Sequence, residues 1–564
     1  MFNSKKQALM PTTSVAGATA TANPPKNKFL QKGMKKAAVT MSGNFAKKYS
    51  ETDDEFVNQF TKLGEYKKPR DYAAIERDSS ILWGVNTRLA VCFIIYLRLI
   101  TRIVDLFDGT KTDSVQRGAG LRHEAIVRMV WLHVNHKEVF WKNVHLFIKA
   151  GSWKDIITML SYDLQYNGWD GRALDWDLFK QLLLAGLENP RTSELVKKYL
   201  PRIRPNSVCV TIESQAGNMI GKWLCAGLFG HKENDSKSYK SYRQLKASGT
   251  AHQWQQLISK RDYLSLDFST VHGRALSRLV SGKFLANQGL EGRYEQWIAS
   301  KPIAKFTGFV HELFMKKPLK KYQIDTLNAQ FMGLVATAKT NATTNTSMIV
   351  VRDTSGSMDS LATGVNMAAG DLAKALALFF SYMLPDGAFA NSWIEFASTA
   401  EMHTWKGTTP WEKWCNDGSS YIGSTNFISV INLFCRIKST VDESEFPTGI
   451  ICISDGEFNP TQLGKTNVQV ARKKLAAAGF TDQFVKDFKI VLWNVRSGYY
   501  GPTTGAKFET YESDVPNVYY FTGFDASIMA FLTGIEGKEA SAPKNAVELF
   551  LAAMDQELLR QVEI

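Results

Sequence analysis

Three oxygen-bearing side chains at alternate positions, Asp353-x-Ser355-x-Ser357, close the apolar stretch Met348-Ile-Val-Val. A β-branched run of this kind reads as a strand buried on both faces, so the donors fall on the turn at its carboxyl end. One carboxylate and two hydroxyls are ligand types for a hard divalent cation such as Mg²⁺. Such an ion takes a near-octahedral oxygen shell that waters or an outside carboxylate can complete. Alone the pattern is weak, because Asp and Ser also serve as ordinary turn and capping residues. Two later stretches strengthen it. Gly423-Ser-Thr425-Asn follows a Gly/Ser/Asp-rich approach at 416–420 and precedes an apolar helical run from Phe427. Gly449-Ile-Ile-Cys-Ile-Ser-Asp455-Gly is a second buried-type strand ending in an acidic turn. Open parallel sheets gather ligands outside the carboxyl ends of their strands, and all three pieces sit at such ends.

In this order the pieces resemble the metal-ion-dependent adhesion site of a von Willebrand factor A domain. The resemblance implies that Asp353, Ser355 and Ser357 form the first loop, Thr425 the second and Asp455 the third. It implies Mg²⁺ there, or Mn²⁺ or Ca²⁺ in its place, with an acidic group of a protein partner completing the shell.

The elements that must position these residues alternate. Strands are expected at 348–351, 393–397, 449–453, 489–495 and 518–521, and helices at 368–383, 427–437 and 468–478, with another starting at 527–532. That alternation is the signature of a doubly wound parallel sheet, placed at 346–536. A polar stretch at 336–346 reads as the linker into it. A last amphipathic helix at 546–562, within a C-terminal segment 537–564, has no docking surface that the pattern reveals. Residues 51–340 instead read as helix after helix with short connections, the pattern of an α-solenoid or ring of stacked pairs. One long helix or two is expected over 81–107.

The chain has 564 residues and is 44% hydrophobic, enough for a large core and more than one domain. Its six cysteines include no C-x-x-C pair, which argues against a zinc ribbon or disulfide framework and for a reducing compartment. The most membrane-like run, 89–97, is too short to span a bilayer and is closed by Arg88 and Arg98. No secretory signal is read at the start. The expected location is cytoplasmic, or virion-associated if the chain comes from a phage. The net charge of +14 hides an asymmetry. Residues 1–345 carry 51 basic and 29 acidic side chains, a net of +22. The remainder carries 68 − 51 = 17 and 54 − 29 = 25, a net of −8. A polyanion-seeking first part thus precedes a mildly acidic second one. Residues 1–50 hold nine lysines and no acid, and read as a disordered basic arm.

Three further stretches carry a second resemblance. They are Arg117-Gly-Ala-Gly-Leu-Arg122-His123-Glu with Lys149-Ala-Gly-Ser-Trp-Lys-Asp155, then Lys197-Lys-Tyr-Leu-Pro-Arg202-Ile-Arg204, then Tyr242-Arg-Gln-Leu with Tyr294-Glu-Gln-Trp. Leading into the A-type domain, they resemble the Ro autoantigen (TROVE) architecture, and most of all its plant, bacterial and phage branch. Val491-Leu-Trp-Asn-Val-Arg and Tyr519-Tyr-Phe-Thr-Gly-Phe-Asp agree with that branch. The resemblance implies a helical-repeat, HEAT-like ring that binds small structured or misfolded RNA. The candidate contacts are Arg117, Arg122 and His123; Lys197, Lys198, Arg202 and Arg204; and Lys316, Lys317, Lys320 and Lys321. Such cations supply a phosphate term and interleaved aromatics can stack on bases, although Trp131, Trp141 and Trp153 read as core. No phosphate loop, D-x-D-x-T nucleophile or second metal cluster is found, and neither serine has an assignable histidine partner. The chain therefore reads as a non-enzyme. The alternatives to an RNA scaffold are a protein-interaction module centred on the metal site and a structural component of a phage particle.

Overall fold

The computed structural model describes residues 39–41, 47–49, 55–230, 236–249, 253–341, 347–418, 423–458, 467–496, 516–523 and 546–564, apart from short gaps of one to three positions. Within the basic arm, Val39–Met41 (β1) pairs antiparallel with Lys47–Tyr49 (β2). A short hairpin therefore stands in a segment expected to be disordered, and the rest of the arm lies outside the described residues. So does the helix start expected at 527–532.

Beyond the arm a helical body forms as the periodicity predicts, with one interruption. The apolar pattern over 81–107 divides between helices Tyr72–Val85 and Thr87–Arg98. Asn86 makes the break, its side chain accepting from Leu89 N at 2.9 Å as an N-cap. The chain then enters Ile100–Arg102 (β3), paired antiparallel with Gln116–Ala119 (β4). Helix Lys137–Ala150 stops at Gly151, and Trp153–Asn167 starts from a Ser152/Asp155 capping box. Gly151 is there for room: a Cβ would lie 2.2 Å from Asp155 Oδ2 and 2.8 Å from Arg98 Nε.

Two buried carboxylates tie these helices together, each between two guanidinium groups. Asp155 accepts from Arg98 Nε and Arg122 Nε, both at 2.8 Å. Glu124 accepts from Arg70 at 2.9 Å and Arg128 at 3.0 Å. Removing one member would leave an uncompensated buried charge.

The second domain is a six-stranded sheet of Met348–Asp353 (β5), Ser392–Phe396 (β6), Ala400–Thr404 (β7), Gly449–Ser454 (β8), Lys489–Asn494 (β9) and Val518–Thr522 (β10), in the order β10-β9-β8-β5-β6-β7. All neighbours are parallel except β6 and β7, so the expected doubly wound parallel sheet forms with one antiparallel edge strand. Only 397–399 join β6 to β7, too few residues for a parallel crossover. Alternate residues of the central strands serve opposite cores. Val350, Ile451 and Trp493 pack with helix Ala369–Ser381, while Val351, Cys452 and Leu492 pack with Phe427–Ile437 and Asn467–Ala477. The chain leaves β5 in both directions across the sheet, so the topological switch point lies between β5 and β8.

The border between the parts differs from the polar linker expected at 336–346. Helix Lys321–Asn341 runs through most of it, and its Leu327, Phe331, Val335 and Ala338 share a core with Ala369–Ser381. Residues 342–346 lie outside the described residues. The C-terminal segment returns to the helical body. Helix Ala546–Met554 places Phe550 among Phe56, Phe60 and Phe93, with ring centroids 5.5, 5.6 and 6.3 Å away. Further along, Leu558 N donates to Gln116 Oε1 and Glu563 N to Asn143 Oδ1. A second weld is the parallel bridge between Gly64 and Gly523. Gly523 has φ +66°, and a Cβ on it would lie 2.4 Å from the Gly64 carbonyl carbon, so both dihedral and space call for glycine. Phe550→Ala is expected to cost about 3 kcal/mol of stability, the low end for a buried Phe truncation. Denaturant unfolding of the full chain checks it.

Candidate metal centre and nucleic-acid interface

The β5 turn begins with the carboxylate that the sequence singled out. Asp353 is the last residue of β5 and only 1% exposed. Its Oδ1 accepts from Ser355 N at 2.9 Å, which folds the turn back over the strand end. Its Oδ2 accepts from Ser454 Oγ at 2.5 Å, the last residue of the adjacent strand β8. The Ser355 and Ser357 hydroxyl oxygens lie 3.0 Å apart. Asp455, one residue past β8, is 8% exposed and stands across the switch point from Asp353. Burial first, and the Asp455 charge second, push the Asp353 carboxyl up to about 6. Thr425 is buried, in a loop tied to the end of β6 by Asn426 N donating to Ala397 O at 2.8 Å.

Four of the five predicted ligands thus sit on the ends of the two central strands, and Thr425 on a loop anchored to the next strand. The donor set is all oxygen, with two buried carboxylates, which fits a hard divalent cation. Two residues of the site escaped sequence reading. Ser454 holds Asp353, and Arg496, just past β9, places Nη1 3.2 Å from Asp455 Oδ2 and donates to the Ser357 carbonyl. Arg496 supplies a fixed positive charge beside the carboxylates.

In the helical body the second predicted cation group comes together and the others do not. Lys198, Arg202 and Arg204 line a cavity of about 870 Å³ with Arg243, Lys246 and Lys260, and no carboxylate lines it among the described residues. Lys246 Nζ donates to the Lys198 carbonyl at 3.0 Å, and burial, then the Arg202 charge, lower its pKa. Arg243 and Lys246 stand three apart on helix Ser236–Ala247, a spacing that puts them on adjoining turns of one side. That spacing was the available signal for them. Lys197 is adjacent in sequence but does not line the cavity. Tyr242 is wholly buried, its Oη donating to Pro201 O at 3.0 Å, so it packs rather than stacks on a ligand.

The first group is divided. Arg117 is exposed, whereas Arg122 is committed to Asp155 and Thr158 Oγ1, both at 2.8 Å. His123 is half-buried with Nδ1 2.6 Å from Tyr162 Oη. In the third group, Lys320 pairs with Glu291 and Lys321 with Asp325, while Lys316 and Lys317 lie outside the described residues. Trp131 and Trp153 are buried and Trp141 packs on Phe179 at 4.9 Å, as core residues should.

No family model matches the chain, and no curated protein matches it. The crystal structure of the Ro (RSR) protein of Deinococcus radiodurans is similar to it at 12% identity, over 88% of this chain and 97% of that one, with a TM-score of 0.32. The architecture in hand is a helical body followed by a doubly wound sheet with one antiparallel edge strand. Among the described residues no helix is long and apolar enough to cross a membrane.

Proposed function

We propose that the chain is a non-catalytic RNA-binding scaffold. Its helical body takes RNA, and its strand-end loops bind Mg²⁺, through which an acidic group of a protein partner docks. The observation that carries this reading is the cavity of six cations, with no carboxylate lining it among the described residues. Cations brought together at the cost of mutual repulsion need an anion to compensate them, and a phosphate backbone is a repeating one. A cavity of about 870 Å³ has room for several phosphate groups, and the +22 charge of residues 1–345 adds the long-range attraction.

A second reading is favoured by the metal loops. Asp353, Ser355, Ser357 and Asp455 form a compact donor set in the part of the chain, residues 346–564, that carries −8. On that reading protein interaction is the main activity and polyanion binding is loose. Nucleic acid recovered with the purified full chain separates the two. Discrete, ribonuclease-sensitive RNA is the expected result. No RNA, or RNA of all sizes released at moderate salt, would overturn the scaffold reading in favour of the second.

A further inference from the structure

Strands β6 and β7 carry a group of side chains that the proposed function does not use. Their register sets Glu395 directly opposite Glu401, with His403 two residues on and therefore on the same face of the ladder. One ligand atom from each of the three residues lies within 4.8 Å of the other two. Like charges directly opposite across a ladder are destabilising, and burying one of them is more so. Glu395 is only 8% exposed, and its Oε2 is buried with no hydrogen-bond partner.

The histidine deepens the anomaly. His403 Nε2 sits 3.0 Å from Glu395 Oε1, yet it is buried and not aligned for an N–H···O bond. A nitrogen and an oxygen brought that close without an aligned proton have nearly the separation of two adjacent ligands of one ion, roughly 3.0–3.4 Å for metal–ligand bonds near 2.1 Å from right-angled to tetrahedral geometry. The imidazole is held by stacking on Trp393, centroids 4.8 Å apart and planes 23° from parallel. Arg352, opposite Glu395 on β5, turns its Nη1 to Asp417 at 3.0 Å, and its charge also acts on Glu395. Glu401 is exposed on the edge strand, which leaves solvent a route in.

We infer that Glu395, Glu401 and His403 bind a divalent transition-metal ion of the Zn²⁺ class, at a site separate from the Asp353 loops. One imidazole nitrogen and two carboxylates suit Zn²⁺ and its neighbours rather than Mg²⁺, which favours oxygen alone. Three protein ligands leave a position for water. The ion would join two strands at the sheet edge and add positive charge between the opposed glutamates, beyond the Arg352 charge that acts on Glu395 from one side.

The test is calorimetric titration of Zn²⁺ into the full chain, in excess Mg²⁺ so that oxygen-only sites are saturated. One Zn²⁺ per chain is expected above any background, weakened at least about 100-fold by His403→Ala and by Glu395→Gln. Loss of a direct ligand should exceed the 10–100-fold that outer-shell changes cost. Should either variant fail to fold, Glu401→Gln on the exposed edge decides, with the same weakening expected. Zn²⁺ uptake that is absent, or unchanged in all the folded variants, overturns the assignment and leaves the cluster as a charged strand edge.

Discussion

Charge reversal at Arg202, Arg243 and Lys246 is expected to weaken RNA binding about 1,000-fold at moderate salt. Hydrogen bonds to charged groups are each worth about 1.5–3 kcal/mol, and three lost contacts at the low end give about 4.5 kcal/mol, slightly above a factor of 1,000. The salt dependence is the sharper readout. Each phosphate contact on a single strand contributes about 0.7 to the slope of log affinity against log salt, so three should lower it by about 2. The three residues stand on two segments that meet at one cavity, which no carboxylate lines among the described residues. Arg122 would be a poor choice, because reversing it strands the buried Asp155 and damages the fold before it reports on RNA. Lys320→Glu with Lys321→Glu is the matched control. Both lysines are already paired on the surface, to Glu291 and Asp325, and the double variant should leave the slope nearly unchanged. Fluorescence anisotropy with a labelled single strand over a salt series measures all of this. A slope equal to the parent chain's would remove the cavity from the binding surface.

What could be read in advance divides by the range of the interaction. The Asp353 turn was legible because strand, turn and alternate donors lie within eleven consecutive residues, and the burial of both central strands follows from their apolar runs. The helices 427–437 and 137–150 were equally local, set by apolar spacing and by a terminating glycine. Position across the chain was not legible. Arg496 reaches the Asp353 turn over 139 residues, and Arg122 reaches Asp155 over 33. Nothing in the spacing of either arginine separates an internal strut from a phosphate contact. The Arg117–His123 and Lys149–Asp155 stretches stand out in sequence, and the structure makes much of that pair a packing device: Gly151 gives room for the Arg98–Asp155–Arg122 bridge. The strand 400–404 was missed for a related reason. It is an exposed edge with little apolar content, so alternation gives no signal there. The polar run at 336–341 was read by composition, yet the tertiary core shared by Val335 and Ala338 keeps it helical.

Asp353→Asn is expected to stabilise the metal-free chain at pH 7–8 while abolishing its response to Mg²⁺. The two effects share one cause. In the folded chain burial and then Asp455 raise the Asp353 pKa from 3.8 to about 6. Between about pH 4 and 6 the folded protein holds a proton that the unfolded chain has released. Stability therefore falls as pH rises through that window, and above it the full cost of about 3 kcal/mol is present. Asparagine keeps the shape and can still accept from Ser355 N, but it carries no charge to bury, so the variant should gain up to that amount and lose Asp353's share of the pH dependence between 4 and 6. A cation at the loops would offset the same cost in the parent chain, whose melting temperature should climb with Mg²⁺ by the usual mass-action relation. Melting curves of the two chains are thus expected to cross: the variant is ahead without Mg²⁺ and the parent gains on it as Mg²⁺ is added. Equal Mg²⁺ responses would show that Asp353 is no ligand. A stability difference between the two chains that stays constant from pH 4 to 6 would show that the parent's carboxylate is not buried as charge. Only a carboxylate that is both buried and metal-bound gives the crossing, which an ordinary turn aspartate would not.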